Sequence, residues 1–127
     1  MLELSSTNNT KKCILVADDE PDIIEVLQTM LEDAGYAVET TLRGDEVERL
    51  AEELQPALII LDILMLGRDG RELAKSLKHS EQTRHIPILM ISAHPYAEKG
   101  VHEVGDADFL AKPFDMDDLL VKVASYV

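Results

Sequence analysis

Short apolar runs alternate with amphipathic stretches along nearly the whole sequence, and that rhythm leaves few folds open. Cys13 to Ala17, Tyr36 to Thr41, Ala57 to Ile63, Ile86 to Ser92 and Asp108 to Ala111 read as strands. Between and after them, Asp22 to Ala34, Asp45 to Leu54, Asp69 to Leu77, about Tyr96 to Val104 and Met116 to Tyr126 read as helices. In the first helix Ile23, Val26, Leu27, Met30, Leu31 and Ala34 recur at intervals of three and four, one helical face, and Gly35 suits its C-terminus. In the second, Val47, Leu50, Ala51 and Leu54 share a side, and Pro56 closes it. Five strands alternating with five helices require crossover connections, hence parallel strands with helices on both faces. The unbroken apolar character of the first, third and fourth strands suits a sheet buried on both sides. The predicted fold is α/β: a flavodoxin-like, doubly wound five-stranded parallel sheet in strand order 2-1-3-4-5.

A chain of 127 residues has the size of one domain, and 46% hydrophobic residues suffice for a packed core. Residues 1–11 are a polar lead containing Ser5 to Thr10 and read as a flexible tail; 12–127 read as one domain. No apolar run approaches the ~20 residues of a membrane span, and no signal peptide opens the chain. The single cysteine, Cys13, has no partner for an internal disulfide, so a cytoplasmic setting is expected. The net charge of -13, from 25 acidic and 12 basic residues, would repel nucleic-acid phosphates and anionic lipid. Neither direct nucleic-acid contact nor membrane insertion is expected.

In a doubly wound sheet the binding site forms beyond the carboxyl ends of the strands, near the point where strand order reverses. The first predicted strand ends in Asp18, Asp19 and Glu20, the third in Asp62, the fourth in Ser92, and the fifth just before Lys112 and Pro113. Three aspartates, a hydroxyl and an ammonium thus converge on one edge. Crowded carboxylates repel one another unless a cation joins them, and oxygen-only ligands suit a hard ion such as magnesium. A carboxylate beside a metal, a lysine and a hydroxyl is suited to attack phosphorus. Each residue alone also has an ordinary reading. Asp18 and Asp19 could cap a helix starting at Pro21, and Ser92 and Lys112 could be common surface residues. Their joint placement carries the argument.

That constellation resembles the receiver domain of two-component signalling, of the chemotaxis-regulator type, from about Lys12 to the C-terminus. ILVADDEPDI resembles the family's opening strand with its acidic pair, and LIILDILMLGRDG its phosphoacceptor strand and following loop. PILMISAH carries the hydroxyl position and DFLAKPF the lysine with its proline. The resemblance implies that Asp62 accepts a phosphoryl group from a histidine kinase or histidine phosphotransfer protein. It implies a magnesium site formed by Asp19, Asp62 and the Leu64 backbone carbonyl, with Asp18 acting through water. Ser92 and Lys112 would contact the phosphoryl group, and Phe109 would switch rotamer with Ser92 on activation. The Lys112–Pro113 bond would be cis. The output would pass to a protein effector across the fourth helix, fifth strand and fifth helix, a face on which a homodimer could also form.

Three positions depart from the family pattern. Leu66 stands where proline is usual, Asp106 and Ala107 replace the more common Ala followed by Asp, and the span from Ser92 to Gly105 is about two residues short. That span holds Gly100 and few apolar anchors, so Pro95 to Gly105 is expected to be the least protected segment. His79, His85 and His102 read as surface residues, and His94 as a candidate modulator of dephosphorylation. A flavodoxin-type carrier would need a phosphate-friendly loop where Asp18, Asp19 and Glu20 stand. A dehalogenase-type phosphatase would need an aspartate where Leu64 stands. The alternative left open is a degenerate receiver acting only as an interaction module.

Overall fold

The computed structural model describes residues 11–65, 68–93 and 107–127. The chain begins with β1 (Cys13–Ala17), α1 (Pro21–Asp33) and β2 (Ala37–Thr41). A 3-10 turn (Gly44–Glu46) leads into α2 (Val47–Leu54), followed by β3 (Leu58–Asp62) and two short strands, β4 (Leu64–Met65) and β5 (Arg68–Asp69). The remaining elements are α3 (Gly70–His79), β6 (Ile88–Ser92), β7 (Ala107–Ala111) and α4 (Met116–Tyr126). The main sheet has the order β2-β1-β3-β6-β7 with every pair parallel, which is 2-1-3-4-5 among its five strands. β4 and β5 pair antiparallel as a separate hairpin.

Side-chain alternation along the central strands builds two cores. Leu15, Ala17, Ile59, Leu61, Ile88 and Met90 point to one face, where Val47 and Ala51 of α2 and Leu73, Ala74 and Leu77 of α3 cover them. Ile14, Val16, Leu58, Ile60, Leu89 and Ile91 point to the other, under Ile24, Leu27, Met30 and Leu31 of α1 and Leu119 and Val123 of α4. Every residue of β3 and β6 is buried, the reason these strands read as continuous apolar runs. The outer strands β2 and β7 are mostly half-buried.

Four of the five expected helices lie among the described residues. The fifth, about Tyr96 to Val104, lies outside them, as do His94, His102, Leu66, Asp106, Pro95, Gly100 and nearly all of the polar lead. Val26 departs from the periodicity that assigned it to the core face of α1: it is 53% exposed. Gly35 takes φ 101 just beyond α1, the left-handed conformation that glycine adopts at a helix end without steric cost. The 3-10 turn displaces the start of α2 from Asp45 to Val47, and the β6 ladder begins at Ile88, after Pro87, which has no N–H to donate.

Candidate functional site

The sheet register sets the site. Ala17 pairs with Leu61, Asp62 with Ile91, and Ser92 with Ala111. One step past the pairing, Asp18 stands beside Asp62, with Ser92 one residue further along its strand and Lys112 next to it. The ladders continue into the loops: Asp18 N donates to Thr41 O at 3.2 Å, Ile63 N to Ile91 O at 2.9 Å, and Lys112 N to Ser92 O at 2.8 Å. These bonds carry the precision of the sheet into the residues that follow it.

The capping reading of the first acidic segment does not hold. The N-cap of α1 is Glu20, with no side-chain cap bond, and Pro21 begins the helix. The Asp18 side chain is turned inward instead, is fully buried, and accepts the Glu20 amide on Oδ1 at 3.0 Å. Its other oxygen accepts from Lys112 Nζ at 2.9 Å. Lys112 Nζ also lies 3.1 Å from Glu20 Oε1 and 3.6 Å from Asp62 Oδ2. Lys112 is thus joined to residues more than ninety positions earlier in the chain. The Lys112–Pro113 bond is cis.

Asp62 is buried, and its carboxyl is pushed up to about 7. Desolvation is the main cause and the Asp18 charge the next, against the Lys112 ammonium and the Leu64 amide, which favour the ionised form. The Leu64 N–H donates to Asp62 Oδ1 at 3.3 Å. For Lys112, burial favours the neutral amine, but the hydrogen bond to Asp18, the Asp62 charge and the bond to Glu20 outweigh it and hold the pKa above the ordinary lysine value.

Behind Asp62 the chain turns tightly into α3. Gly70 N donates to Ile63 O at 2.6 Å, and a Cβ on Gly70 would lie 2.3 Å from the Asp62 carbonyl oxygen. Only glycine permits that approach. Asp69 caps α3 by accepting the Arg71 amide at 2.8 Å. Arg68 reaches Glu48 of α2 at 3.2 Å, and Glu48 also accepts from Ser76 of α3, which ties the hairpin to two helices.

Asp19, Glu20, Asp62, Leu64, Ser92, Ala93 and Lys112 line an open cleft of about 480 Å³. An adjoining apolar cleft of about 390 Å³ lies between Ile23, Val26 and Leu27 of α1 and Pro113 and Phe114, and it shares Glu20, Ala93 and Lys112. Asp19, Asp62, Leu64, Ser92 and Lys112, all expected at one site, therefore meet in one cleft, with Asp18 beneath it. Phe109 packs half-buried against the core under α2 and α3. His79 and His85 are exposed, as expected. Glu20 stands beside the aspartates in the sequence, but nothing in the strand pattern assigns it a role. The signal that would have raised it is its place one residue past them, at the start of α1.

Among the described residues, one oxygen each from Asp18, Glu20 and Asp62 lie within 4.8 Å of one another. Buried Asp18 and Asp62, with Asp19 lining the same cleft, offer an all-oxygen, anionic donor set that fits a hard divalent cation, whereas the exposed Glu20 is engaged by Lys112.

The sequence matches the family model described as response regulator receiver domain over residues 14–124. The chain belongs to the response regulator receiver family. Receiver domains are the phosphoaccepting modules of two-component signalling. The chain is 37% identical over 112 residues to the DNA-binding dual master transcriptional regulator RpaA of Synechocystis, covering 87% of this chain and 46% of RpaA. It is 39% identical over 114 residues to the alkaline phosphatase synthesis transcriptional regulatory protein PhoP of Bacillus subtilis, covering 88% and 47%. The chain thus spans about half the length of these curated relatives. Among solved structures, the chemotaxis protein CheY4 of Vibrio cholerae superposes with a TM-score of 0.85 at 30% identity, covering 93% of this chain and all of CheY4. The receiver fold and the order of its strands agree with the expectation from sequence.

Proposed function

We propose that this receiver, residues 12–127, takes a phosphoryl group onto Asp62 from the phosphohistidine of a histidine kinase or histidine phosphotransfer protein. The observation that carries the reading is the position of Asp62: a buried carboxylate at the floor of an open cleft, 3.6 Å from the Lys112 ammonium. An Asp62 oxygen attacks phosphorus, and an O–P bond forms as the N–P bond breaks. The electron pair of the broken bond remains on the imidazole nitrogen, which takes up a proton. Lys112 pairs with the phosphoryl oxygens, and the Ser92 hydroxyl donates to one of them. Asp19, Asp62 and the Leu64 carbonyl would hold magnesium, with Asp18 acting through water, and the ion supplies positive charge against the phosphoryl oxygens when bound.

Phosphorylation then biases a two-state element. Ser92 is drawn toward the phosphoryl group and Phe109 turns into the space behind it. The changed surface includes β7 and α4, where Val121 is 70% exposed, and is read by a protein effector or by a second copy. His94 would modulate loss of the phosphoryl group. The chain acts as a signalling phosphoacceptor in the cytoplasm, not as an enzyme on a metabolite, and makes no direct contact with nucleic acid. No helix among the described residues is long and apolar enough to cross a membrane.

The test is labelling by acetyl phosphate, or by a phosphorylated histidine phosphotransfer protein, with magnesium present. Wild type should be labelled, and Asp62→Asn, which keeps the shape but not the nucleophile, should not. Labelling that persists in Asp62→Asn would move the acceptor to another residue. A wild type that takes no label would favour the degenerate, interaction-only reading.

A further inference from the structure

Glu20 takes no part in the transfer to Asp62, yet it stands at the mouth of the phosphoryl cleft and holds the lysine that cleft depends on. We propose that Glu20 determines donor specificity: it is the displaceable counter-ion of Lys112, which an incoming phosphoryl group must replace, and it disfavours small anionic phosphodonors. The proposal rests on Asp62 and Lys112 acting as described above.

The Lys112 ammonium has carboxylate oxygens of Asp18 at 2.9 Å, Glu20 at 3.1 Å and Asp62 at 3.6 Å. Its side chain is 10% exposed, so a phosphoryl oxygen can reach it only by taking the place of one of these partners. Asp18 cannot yield. Its side chain is 0% exposed and both oxygens are engaged, one by Lys112 and one by the Glu20 amide, so leaving would strand a buried charge. Asp62 is the nucleophile itself. Glu20 is different, because its side chain is 60% exposed and its carboxylate can turn into water at little cost.

The Glu20 backbone, by contrast, is fixed. Its carbonyl accepts from Ile23 N and Ile24 N, both at 3.1 Å, and its amide donates to Asp18. An exchange at Lys112 therefore moves one side chain and leaves α1 in place. While it stays, Glu20 opposes an anionic donor twice, by occupying Lys112 and by placing a like charge at the cleft mouth. Both effects grow with the negative charge on the donor and weaken as salt screens them.

The test uses beryllofluoride, an anionic phosphoryl mimic, with magnesium on the whole chain, together with labelling by acetyl phosphate and by the less negatively charged phosphoramidate. Glu20→Gln should tighten beryllofluoride binding and speed acetyl phosphate labelling by roughly three- to tenfold, the range expected for losing one close competing charge. The gain should be smaller for phosphoramidate and should shrink at high salt, which a merely structural effect would not do. Magnesium affinity alone should be unchanged within about twofold. Glu25→Gln, the same change of charge at an exposed position of α1, should leave every readout near wild type. Unaltered beryllofluoride binding in Glu20→Gln, or an equal gain in Glu25→Gln, would overturn the proposal. So would weaker magnesium binding, which would make Glu20 a ligand of the cation. Failure of the underlying reading is told apart by Asp62→Asn: if that variant still binds beryllofluoride as wild type does, the acceptor is wrong and this proposal falls with it.

Discussion

Two lysine–carboxylate clusters flank the last strand of the sheet, and they are built to opposite ends. In one, Lys112 faces Asp18, Asp62 and Glu20, three carboxylates for one ammonium, with the two aspartates buried. In the other, Lys122 of α4 meets Asp108 of β7 at 3.1 Å, and Asp108 also accepts from Tyr126 Oη at 2.9 Å and its neighbour Phe109 N at 2.8 Å. Burial pushes the Asp108 carboxyl up, but the bonds from Phe109, Tyr126 and Lys122 outweigh it and hold the group below the usual aspartate range. Asp62 goes the other way, to about 7. The second cluster is a closed, satisfied link between strand and helix. The first carries unbalanced negative charge, so a cation can relieve it, whereas folding alone does not.

The largest way to break this contrast is to remove the lysines. Lys112→Ala leaves buried Asp18 without its counter-ion and should destabilise the metal-free protein by roughly 3 kcal/mol, partly offset by protonation of the aspartates. A denaturant titration checks this, and added magnesium should recover more stability in the variant than in wild type. Equal losses from Lys112→Ala and Lys122→Ala would show that the clusters do not differ.

The next effect has the opposite sign. Asp62→Asn removes a repelled, buried charge and should stabilise the metal-free protein at neutral pH by about 2 kcal/mol, seen as a higher Tm. The folded pKa of Asp62 lies above the unfolded value, so the folded state binds the proton more tightly and stability falls as pH rises between the two. The Tm advantage of the variant should therefore grow from about pH 4 to about pH 7, the window between the unfolded and folded values, and level off above it. A constant advantage across that window would mean that Asp62 is ionised throughout.

Magnesium should produce a smaller stabilisation, about 1–2 kcal/mol at roughly tenfold excess over its Kd, by binding the folded state alone. Asp19→Asn should reduce that shift by weakening the cation's hold, and Asp108→Asn should leave it unchanged. Thermal melts with and without magnesium read both. An undiminished shift in Asp19→Asn would remove that residue from the site.

Which parts of this contrast were readable from sequence follows from how each signal is encoded. Asp18, Asp62, Ser92 and Lys112 end or follow apolar runs, and a parallel sheet brings such ends together, so their meeting could be deduced without coordinates. The hairpin of β4 and β5 could not, because two-residue strands carry no periodicity. Nor could the bond from Glu20 to Lys112, which joins residues 92 positions apart through a long, exposed side chain. Val26 fits the helical repeat of α1 but borders the apolar cleft, since periodicity identifies a face without fixing how much of it is covered. The sequence pattern marks Asp108 only as the start of the last strand. Its links to Lys122 and Tyr126 depend on how α4 packs back against β7, which strand patterning does not report.

The smallest predicted effect falls on that second cluster. Asp108 and Lys122 are each about one-third exposed in their side chains, so water screens the pair and its worth is that of a surface ion pair with two added hydrogen bonds. Asp108→Asn keeps the shape and can still accept from Phe109 N, so the loss should be no more than about 1 kcal/mol. Its pH dependence should mirror that of Asp62. A carboxyl whose folded pKa lies below the unfolded one stabilises fully above the unfolded value, near 3.8, and loses that contribution as pH falls through the folded one. Between about pH 5 and pH 8 the Tm difference between wild type and Asp108→Asn should therefore stay flat, then shrink in more acid solution. A difference that changed across the neutral range as the Asp62→Asn difference does would show that Asp108 is also a strained group, and the division between a satisfied cluster and an unbalanced one would fail.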